Sequence, residues 1–194
     1  SGTNQYGVPT SANASRTFSA GASRIYFENG TCKCEGLSAG ATATINGTTY
    51  TVVDNTTIRT QVNTGNVNLC TSLVTDMTEL FLPHFTGSNS FNSNISFWHT
   101  SNVTITRNMF SGNVNFNQPI GNWDMSKVQN AQAMFQNARS FNQPIGNWDT
   151  SSMTNMRALF SGADSFNQPI GNWNTSNVVT MSMMSWTQLI LDQI

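Results

Sequence analysis

Hydrophobic side chains recur at steps of 25 residues over most of the chain. The segment F-N-Q-P-I-G-N-W opens at Phe116, Phe141 and Phe166, and a degenerate copy, F-N-S-N-I-S-F-W, opens at Phe91. Within a repeat, Phe, Ile and Trp hold the first, fifth and eighth positions, and an apolar pair follows near the end. A single unit of this length cannot bury so many apolar side chains, so the pattern predicts stacked repeats that share one core.

A partial copy of the repeat precedes the four others. Residues Thr71–Phe81 match Thr100–Phe110 at a spacing of 29, and the extra residues fit best at Leu82–Phe85. The apolar pair is broken at Ser185, and the sequence given ends at the point where another F-N-Q-P-I would open. We therefore expect one array of four to five units over residues 71–194.

Each repeat has a predicted local structure. Pro and Gly after the first Phe indicate an extended segment at an edge, and D-T-S indicates a turn. Thr154 then suits a helix N-cap, and Gly162 suits the residue that ends a helix. These signals predict a repeat solenoid that is leucine-rich-repeat-like, with a short strand and a short helix in each coil. A β-helix is the alternative, because two helical turns are marginal.

The first third of the chain carries no repeat. Residues 1–23 are rich in small polar residues and read as a linker or stalk-proximal segment. Residues 24–70 form a predicted β-rich capping module, with hairpin turns at Asn29-Gly30 and Asn46-Gly47. Asp54 is expected to cap a short helix. Such a module stands where a solenoid needs cover for its first coil.

Three cysteines leave three possibilities open: a disulfide, free thiols or a metal site. Either Cys34 or Cys32 can form a disulfide with Cys70, which leaves one thiol over. A zinc site that adds His84 or His99 is a weaker alternative, because no C-x₂-C pair is present. We expect no metal and no cofactor.

Composition narrows the functional class. Asn, Ser and Thr account for 73 of the 194 residues, whereas charged residues make up 9% and the net charge is −1. This composition gives no basic footprint for nucleic acid and no patch for an anionic membrane. No apolar run reaches the roughly 20 residues of a membrane span, so we expect no membrane insertion. The polar, charge-poor composition is typical of extracellular proteins.

The repeat resembles a known family. The unit F-N-Q-P-I-G-N-W-D-T-S-x-V-T-x-M-x-x-M-F-x-G-A is similar to the 25-residue repeat of BspA-like leucine-rich-repeat surface proteins and of mycoplasma-type surface lipoproteins. The preceding T-I-N-G-T-T-Y-T-V-V-D resembles the lead-in to such arrays. The resemblance implies a solenoid, bacterial-type secretion or cell-surface display, and an adhesive role without catalysis. The N-terminal stretch is faintly similar to chain that leads into fibre tips, which would imply a homo-oligomer, a trimer in that case.

Several candidate functional residues also have a structural explanation. Asp124 and Asp149 could form an acid/base pair, but Asx turns explain them better, since Asn174 takes the same position. The Trp row could stack on sugars, but its register with Phe and Ile favours the core. Invariant amides form three rows, which either bond from coil to coil or bind glycans. The rows are Asn117/Asn142/Asn167, Gln118/Gln143/Gln168 and Asn122/Asn147/Asn172. The binding candidates are Asn122, Asn147, Asn172, Arg139 and Arg157.

The hypothesis that follows is an extracellular adhesin or fibre-tip recognition module. It would bind a cell-surface glycan or protein without catalysis. The alternative is a structural surface rod that has no specific ligand. An ice-binding solenoid would need a regular T-x-T ladder, which the repeats lack.

Overall fold

The computed structural model describes residues 23–83 and 90–184. In these ranges the chain is mostly non-helical: small sheets come first, and a large buried aromatic cluster follows. The predicted linker up to residue 22, His84 and Phe85 of the predicted insertion, and everything from Ser185 onward lie outside the described residues.

Two small sheets occupy the N-terminal part. The first pairs β1 with β2 in antiparallel register. The second has the order β3-β4-β5, with β3 antiparallel and β5 parallel to β4. The strands are β1 Arg24–Glu28, β2 Thr31–Glu35, β3 Thr42–Ile45, β4 Thr48–Val52 and β5 Leu69–Cys70.

Both predicted hairpin turns are confirmed. Asn29 and Gly30 have φ of 49° and 80°, and Asn46 and Gly47 have φ of 50° and 80°. Two consecutive left-handed residues are what a tight type I′ turn requires, and Asn followed by Gly adopts them at least cost. The turns therefore join β1 to β2 and β3 to β4 directly.

One short helix, α1, spans Ile58–Asn63. Asp54 precedes it, and its Oδ1 atom accepts hydrogen bonds from the backbone N–H groups of Thr56 and Thr57 at 3.0 and 2.9 Å. The carboxylate therefore stabilises the turn that leads into the helix, and Thr57 holds the N-cap position itself. Ile58 and Val62 anchor the buried face of α1.

The short strand and helix predicted for each repeat are wrong for the described residues. In the second repeat, Ala131 and Ala133 donate their N–H groups to Asn155 and Arg157 of the third repeat, at 3.0 and 2.8 Å. Met134 donates instead to the carbonyl of Ala131, at 3.2 Å. Alternate N–H groups thus point out of the repeat, so a continuous i to i−4 helical ladder cannot form.

Backbone torsions give the same result. A non-glycine residue in the middle of each predicted helix has a positive φ, which ends any right-handed helix there. These residues are Asn108 (54°), Ala133 (54°), Ala158 (55°) and Met183 (57°). Thr154 bonds through its Oγ1 atom to the Gln129 carbonyl at 3.2 Å, which is not a cap. Gly162 is left-handed as expected, with φ of 72°, and it ends a series of turns.

Single-residue parallel bridges connect successive repeats. Asp76 pairs with Ile105, and the series then continues in steps of 25 residues through Asn130, Asn155 and Thr180. The first step is 29 residues, which is the spacing by which the partial copy was aligned in the sequence. The partial repeat is therefore hydrogen-bonded to the first full repeat as the later repeats are to each other.

Aromatic rings fill the space between repeats. One column has centroid spacings of 5.3, 5.6 and 5.7 Å and contains Phe81, Phe110, Phe135 and Phe160. A second column has spacings of 6.0, 5.8 and 5.8 Å and contains Phe91, Phe116, Phe141 and Phe166. Neighbouring rings of the two columns lie 3.8 to 4.1 Å apart. Aromatic area of this extent dominates core stability.

Candidate functional site

Two of the three invariant amide rows are used inside the stack. The backbone N–H of Asn142 donates to Oδ1 of Asn117 at 2.9 Å, and Nε2 of Gln143 donates to the carbonyl of Asn117 at 3.0 Å. The same pair of bonds recurs one repeat later, from Asn167 and Gln168 to Asn142. Side chains thus make the bonds that a sheet would make with backbone, which explains why F-N-Q-P-I forms no strand.

The third amide row lies beside a groove. A groove of roughly 450 Å³ crosses the third and fourth repeats, and its lining consists of two copies of the same three residue types. The lining residues are Pro144, Gly146, Asn147, Pro169, Gly171 and Asn172. Two of the candidate residues from the sequence, Asn147 and Asn172, therefore meet at one site.

The amides of this groove are available to a ligand. Within the described part of the chain, the side chains of Asn147 and Asn172 are exposed and make no hydrogen bond. Asn122 differs, because its Nδ2 atom donates to the Ser96 carbonyl at 2.9 Å. A free carboxamide offers two donors and one acceptor, which can pair with hydroxyl or amide groups.

Glycine at the sixth repeat position allows successive repeats to approach closely beside the groove. A Cβ atom on Gly121 would overlap the carbonyl oxygen of Pro144, and one on Gly146 would overlap that of Pro169. The backbones of successive repeats therefore approach closely here, and only a residue without a side chain fits without a shift. The prolines and glycines are the lining residues that sequence reasoning missed. The invariance of P-I-G-N in three repeats was the signal that could have identified them.

The two candidate arginines do not line the groove. Arg139 is exposed and lies 3.9 Å from Asp164, between atoms Nε and Oδ2. The Arg157 side chain is also exposed, and the Arg157 carbonyl accepts the N–H of Ala133 at 2.8 Å. The arginines and the Asn row thus belong to separate parts of the surface.

The Trp row is buried, as its register predicted. Trp98, Trp123, Trp148 and Trp173 are 1%, 4%, 4% and 8% exposed. Each indole N–H donates to a backbone carbonyl, at distances from 3.0 to 3.2 Å. Rings in this position are part of the core and cannot stack on a sugar.

The acidic pair is held in Asx turns. Ser126 donates its N–H to Asp124 Oδ1 and Ser151 donates its N–H to Asp149 Oδ1, both at 3.0 Å, and Ser176 does the same with Asn174. The bonds from Ser151 lower the pKa of Asp149, because they favour the ionised form. A carboxylate held ionised in a turn is poorly suited to act as a general acid.

The structure joins Cys34 to Cys70 in a disulfide, with a Cα–Cα distance of 6.2 Å and a sequence separation of 36. Cys32 is free and buried, and burial raises the pKa of its thiol to about 12. Residues 23–83 and 90–184 contain no group of three His, Cys, Asp or Glu side chains that could hold a metal. Two of the three cysteines considered for zinc are thus used in the disulfide.

His99 connects the first repeat to the partial repeat and, through Ser72, to the capping module. Its Nδ1 atom lies 2.8 Å from Ser72 Oγ, and its Nε2 atom lies 2.7 Å from Ser101 Oγ. Ser72 Oγ also accepts the N–H of Cys34 at 3.1 Å. Burial, reinforced by Lys33, lowers the pKa of His99. The imidazole is therefore favoured in its neutral form.

These features define a repeat protein with an aromatic core, a disulfide-linked N-terminal part and an uncharged groove. The chain belongs to the family described as Mycoplasma protein of unknown function, DUF285, which it matches over residues 50–157 and 140–193. The match begins within β4, in the segment that resembles a lead-in to such arrays. No curated protein and no solved structure matches the chain.

Two observations concern the cellular location. A structural disulfide is typical of proteins outside the cytoplasm, and this chain has one between Cys34 and Cys70. No helix in the described ranges is long and apolar enough to cross a membrane.

Proposed function

We propose that the chain is a non-catalytic recognition module on a bacterial-type cell surface or outside the cell, an adhesin or fibre tip that binds a cell-surface glycan or protein. The observation that carries the proposal is the contrast between amide rows. Asn117 and Gln143 are used in bonds between repeats, whereas Asn147 and Asn172 are exposed beside a groove. Exposed amides that make no hydrogen bond within the described residues are candidates for recognition.

The proposal includes a finer assignment of the fold. We infer a solenoid of the BspA-like, leucine-rich-repeat kind, in which each 25-residue unit forms one coil. Parallel bridges at constant steps and the two Phe columns support it. In such arrays each unit contacts only its neighbours, and one face of the stack is left for ligands.

The end of the array supports the role of residues 24–70 as a cap. The Asn55 side chain accepts the N–H groups of Thr75 and Asp76, at 2.8 and 3.2 Å. The Arg59 guanidinium donates to the carbonyls of Thr78 and Glu79, at 2.6 and 3.1 Å. These side chains replace the backbone of a preceding repeat, so the partial repeat is closed without a further unit.

Binding assays with the full chain test the proposal. The chain, as isolated and in an artificially multimerised form, is applied to a glycan array, to intact cells and to immobilised surface proteins. We expect saturable binding on at least one of these surfaces, and binding that weakens when Asn147 and Asn172 are both replaced by Ala. The absence of binding on all surfaces in both forms would contradict the recognition role and favour a structural rod.

Light scattering tests the fibre-tip version separately. A trimeric mass for the full chain supports a fibre tip, because such tips are closed symmetric assemblies. A monomeric mass would contradict the fibre tip and leave the monomeric adhesin.

A further inference from the structure

We propose that the groove at the third and fourth repeats binds a neutral, hydroxyl-rich glycan chain laid along the stack, so that successive sugar units meet the same lining on successive repeats. The inference rests on the proposed recognition function and specifies its ligand class. The site consists of Pro144, Gly146 and Asn147 together with the equivalent Pro169, Gly171 and Asn172.

The lining provides the two kinds of contact that a sugar needs. A hydroxyl group both donates and accepts, and so does a carboxamide. Asn147 and Asn172 carry exposed carboxamides, and no neighbour in the described ranges uses them. The exposed rings of Pro144 and Pro169 supply apolar surface for the C–H faces of sugar rings.

Charge favours a neutral glycan. None of the six lining residues is ionisable. Recognition of sulfate or carboxylate groups relies on Arg or Lys. Arg139 and Arg157 are exposed on other parts of the surface and do not line the groove.

The backbone geometry argues against an extended peptide. Peptides that bind by strand addition pair with a free backbone edge. Pro144 and Pro169 have no N–H group, and their carbonyls pack against Gly121 and Gly146 of the preceding repeats. The groove therefore presents side-chain amides, and the backbone of its prolines is not available for strand pairing.

The repetition of the lining predicts a dependence on glycan length. Pro119, Gly121 and Asn122 occupy the same positions in the second repeat, although Asn122 is bonded to Ser96. A glycan long enough to span two repeats contacts both free amides, whereas a shorter one contacts a single amide. Affinity should increase with length until both amides are engaged and should then level off.

The test uses neutral oligosaccharides of increasing length and their sulfated counterparts, titrated against the full chain. We expect binding of the longer neutral chains that is insensitive to salt. Asn147→Ala and Asn172→Ala should each weaken it by roughly tenfold, which corresponds to about 1.4 kcal/mol. Asn115→Ala, an exposed amide outside the groove, and Arg157→Ala should leave the affinity unchanged.

Two further substitutions distinguish a loss of binding from a loss of folding. Asn147→Asp and Asn172→Asp keep the size of the side chain and remove its donors, so these variants should retain the melting temperature and lose binding.

Three results would overturn the inference: neutral-glycan affinity unchanged in the Asn147→Ala/Asn172→Ala double variant, preference for sulfated chains that Arg157→Ala abolishes, or binding to surface proteins alone. In each case the chain still binds a ligand, so the recognition function survives. Absence of binding to every probe and surface would contradict both the glycan site and the recognition function.

Discussion

Asn55 Oδ1 accepts the backbone N–H of Thr75 at 2.8 Å and thereby takes the place of a carbonyl from a preceding repeat. The comparison with later repeats supports this interpretation. The N–H of Thr104, which corresponds to Thr75, donates at 2.8 Å to the carbonyl of Thr75 itself. Every later repeat thus receives a backbone acceptor from its neighbour, and the partial repeat receives one from a side chain.

Replacement of Asn55 should therefore destabilise the array at its N-terminal end. Asn55→Ala removes the acceptor for Thr75 and Asp76 and should lower the free energy of unfolding by about 1–2 kcal/mol, as the loss of a helix cap does. Asn55→Asp keeps the acceptor oxygen and should lower the free energy of unfolding by clearly less. Chemical denaturation measures both, and equal losses for the two variants would contradict the capping role.

Gly121 should be intolerant of a side chain. A Cβ atom there meets the carbonyl oxygen of Pro144, so Gly121→Ala should force a backbone shift and cost about 1–3 kcal/mol. Ser96 takes the equivalent position in the first repeat, and Ser96→Ala adds no atom, so it serves as the control with little expected change. Thermal unfolding compares the two. An unchanged melting temperature for Gly121→Ala would mean that the repeats are not this closely stacked.

His99 should make stability depend on pH. Its folded-state pKa is lowered by burial and by the positive charges of Lys33 and Lys127, against the opposing effects of Asp124 and Glu28. The unfolded chain then binds more protons, so stability is complete above the ordinary pKa of 6.5 and falls as the pH drops below it. Chemical denaturation curves measured at pH values above and below 6.5 test whether stability falls as the pH drops.

The repeat pattern supplies the control for that experiment. Asn174 stands where His99 stands, and it holds its turn through Ser176. His99→Asn should therefore preserve the turn at Ser101 and abolish the decrease in stability just below pH 6.5. If the variant retains the same decrease, then the decrease arises from other groups.

The disulfide should stabilise the N-terminal part of the protein. Cys34 and Cys70 close a loop with a sequence separation of 36, for which loop-closure entropy gives about 4 kcal/mol. A Cys34→Ser/Cys70→Ser variant should lose a comparable amount, and reducing agent should have no further effect on it. As a control, the unaltered chain is alkylated under native conditions. The thiol of Cys32 is buried and should not react. A melting temperature unaffected by reduction would contradict the assignment.

The sequence predicted two kinds of feature: turns set by the torsion preferences of adjacent residues, and positions set by the 25-residue repeat. Asn29-Gly30 and Asn46-Gly47 specify turns through their own torsion preferences, so both hairpins were recognised. The burial of Trp123 and Trp148 followed from their constant register with Phe and Ile. The 29-residue step to the partial repeat was also visible, because Asp76 and Ile105 take equivalent positions in the two copies.

The features that were missed depend on contacts between repeats. The Thr154–Gly162 segment has the residues of a short helix, but neighbouring repeats take up alternate N–H groups and leave turns instead. The role of Asn55 was not visible either, since it lies outside the repeat and acts on residues 20 positions away. The groove forms only where two repeats stack, so the invariance of P-I-G-N marked its prolines and glycines as a group but did not show that they line a groove.

We propose that the Asn147 and Asn172 amides form the recognition surface. The most direct measurement is an NMR titration of the isotopically labelled chain with the longer neutral oligosaccharide, observing side-chain amide and arginine signals. We expect saturable shifts at Asn147 and Asn172, with little change at Asn117, which is bonded within the stack, and at Arg157. Saturable shifts centred on Arg139 or Arg157, or no shift at the two groove amides, would contradict it.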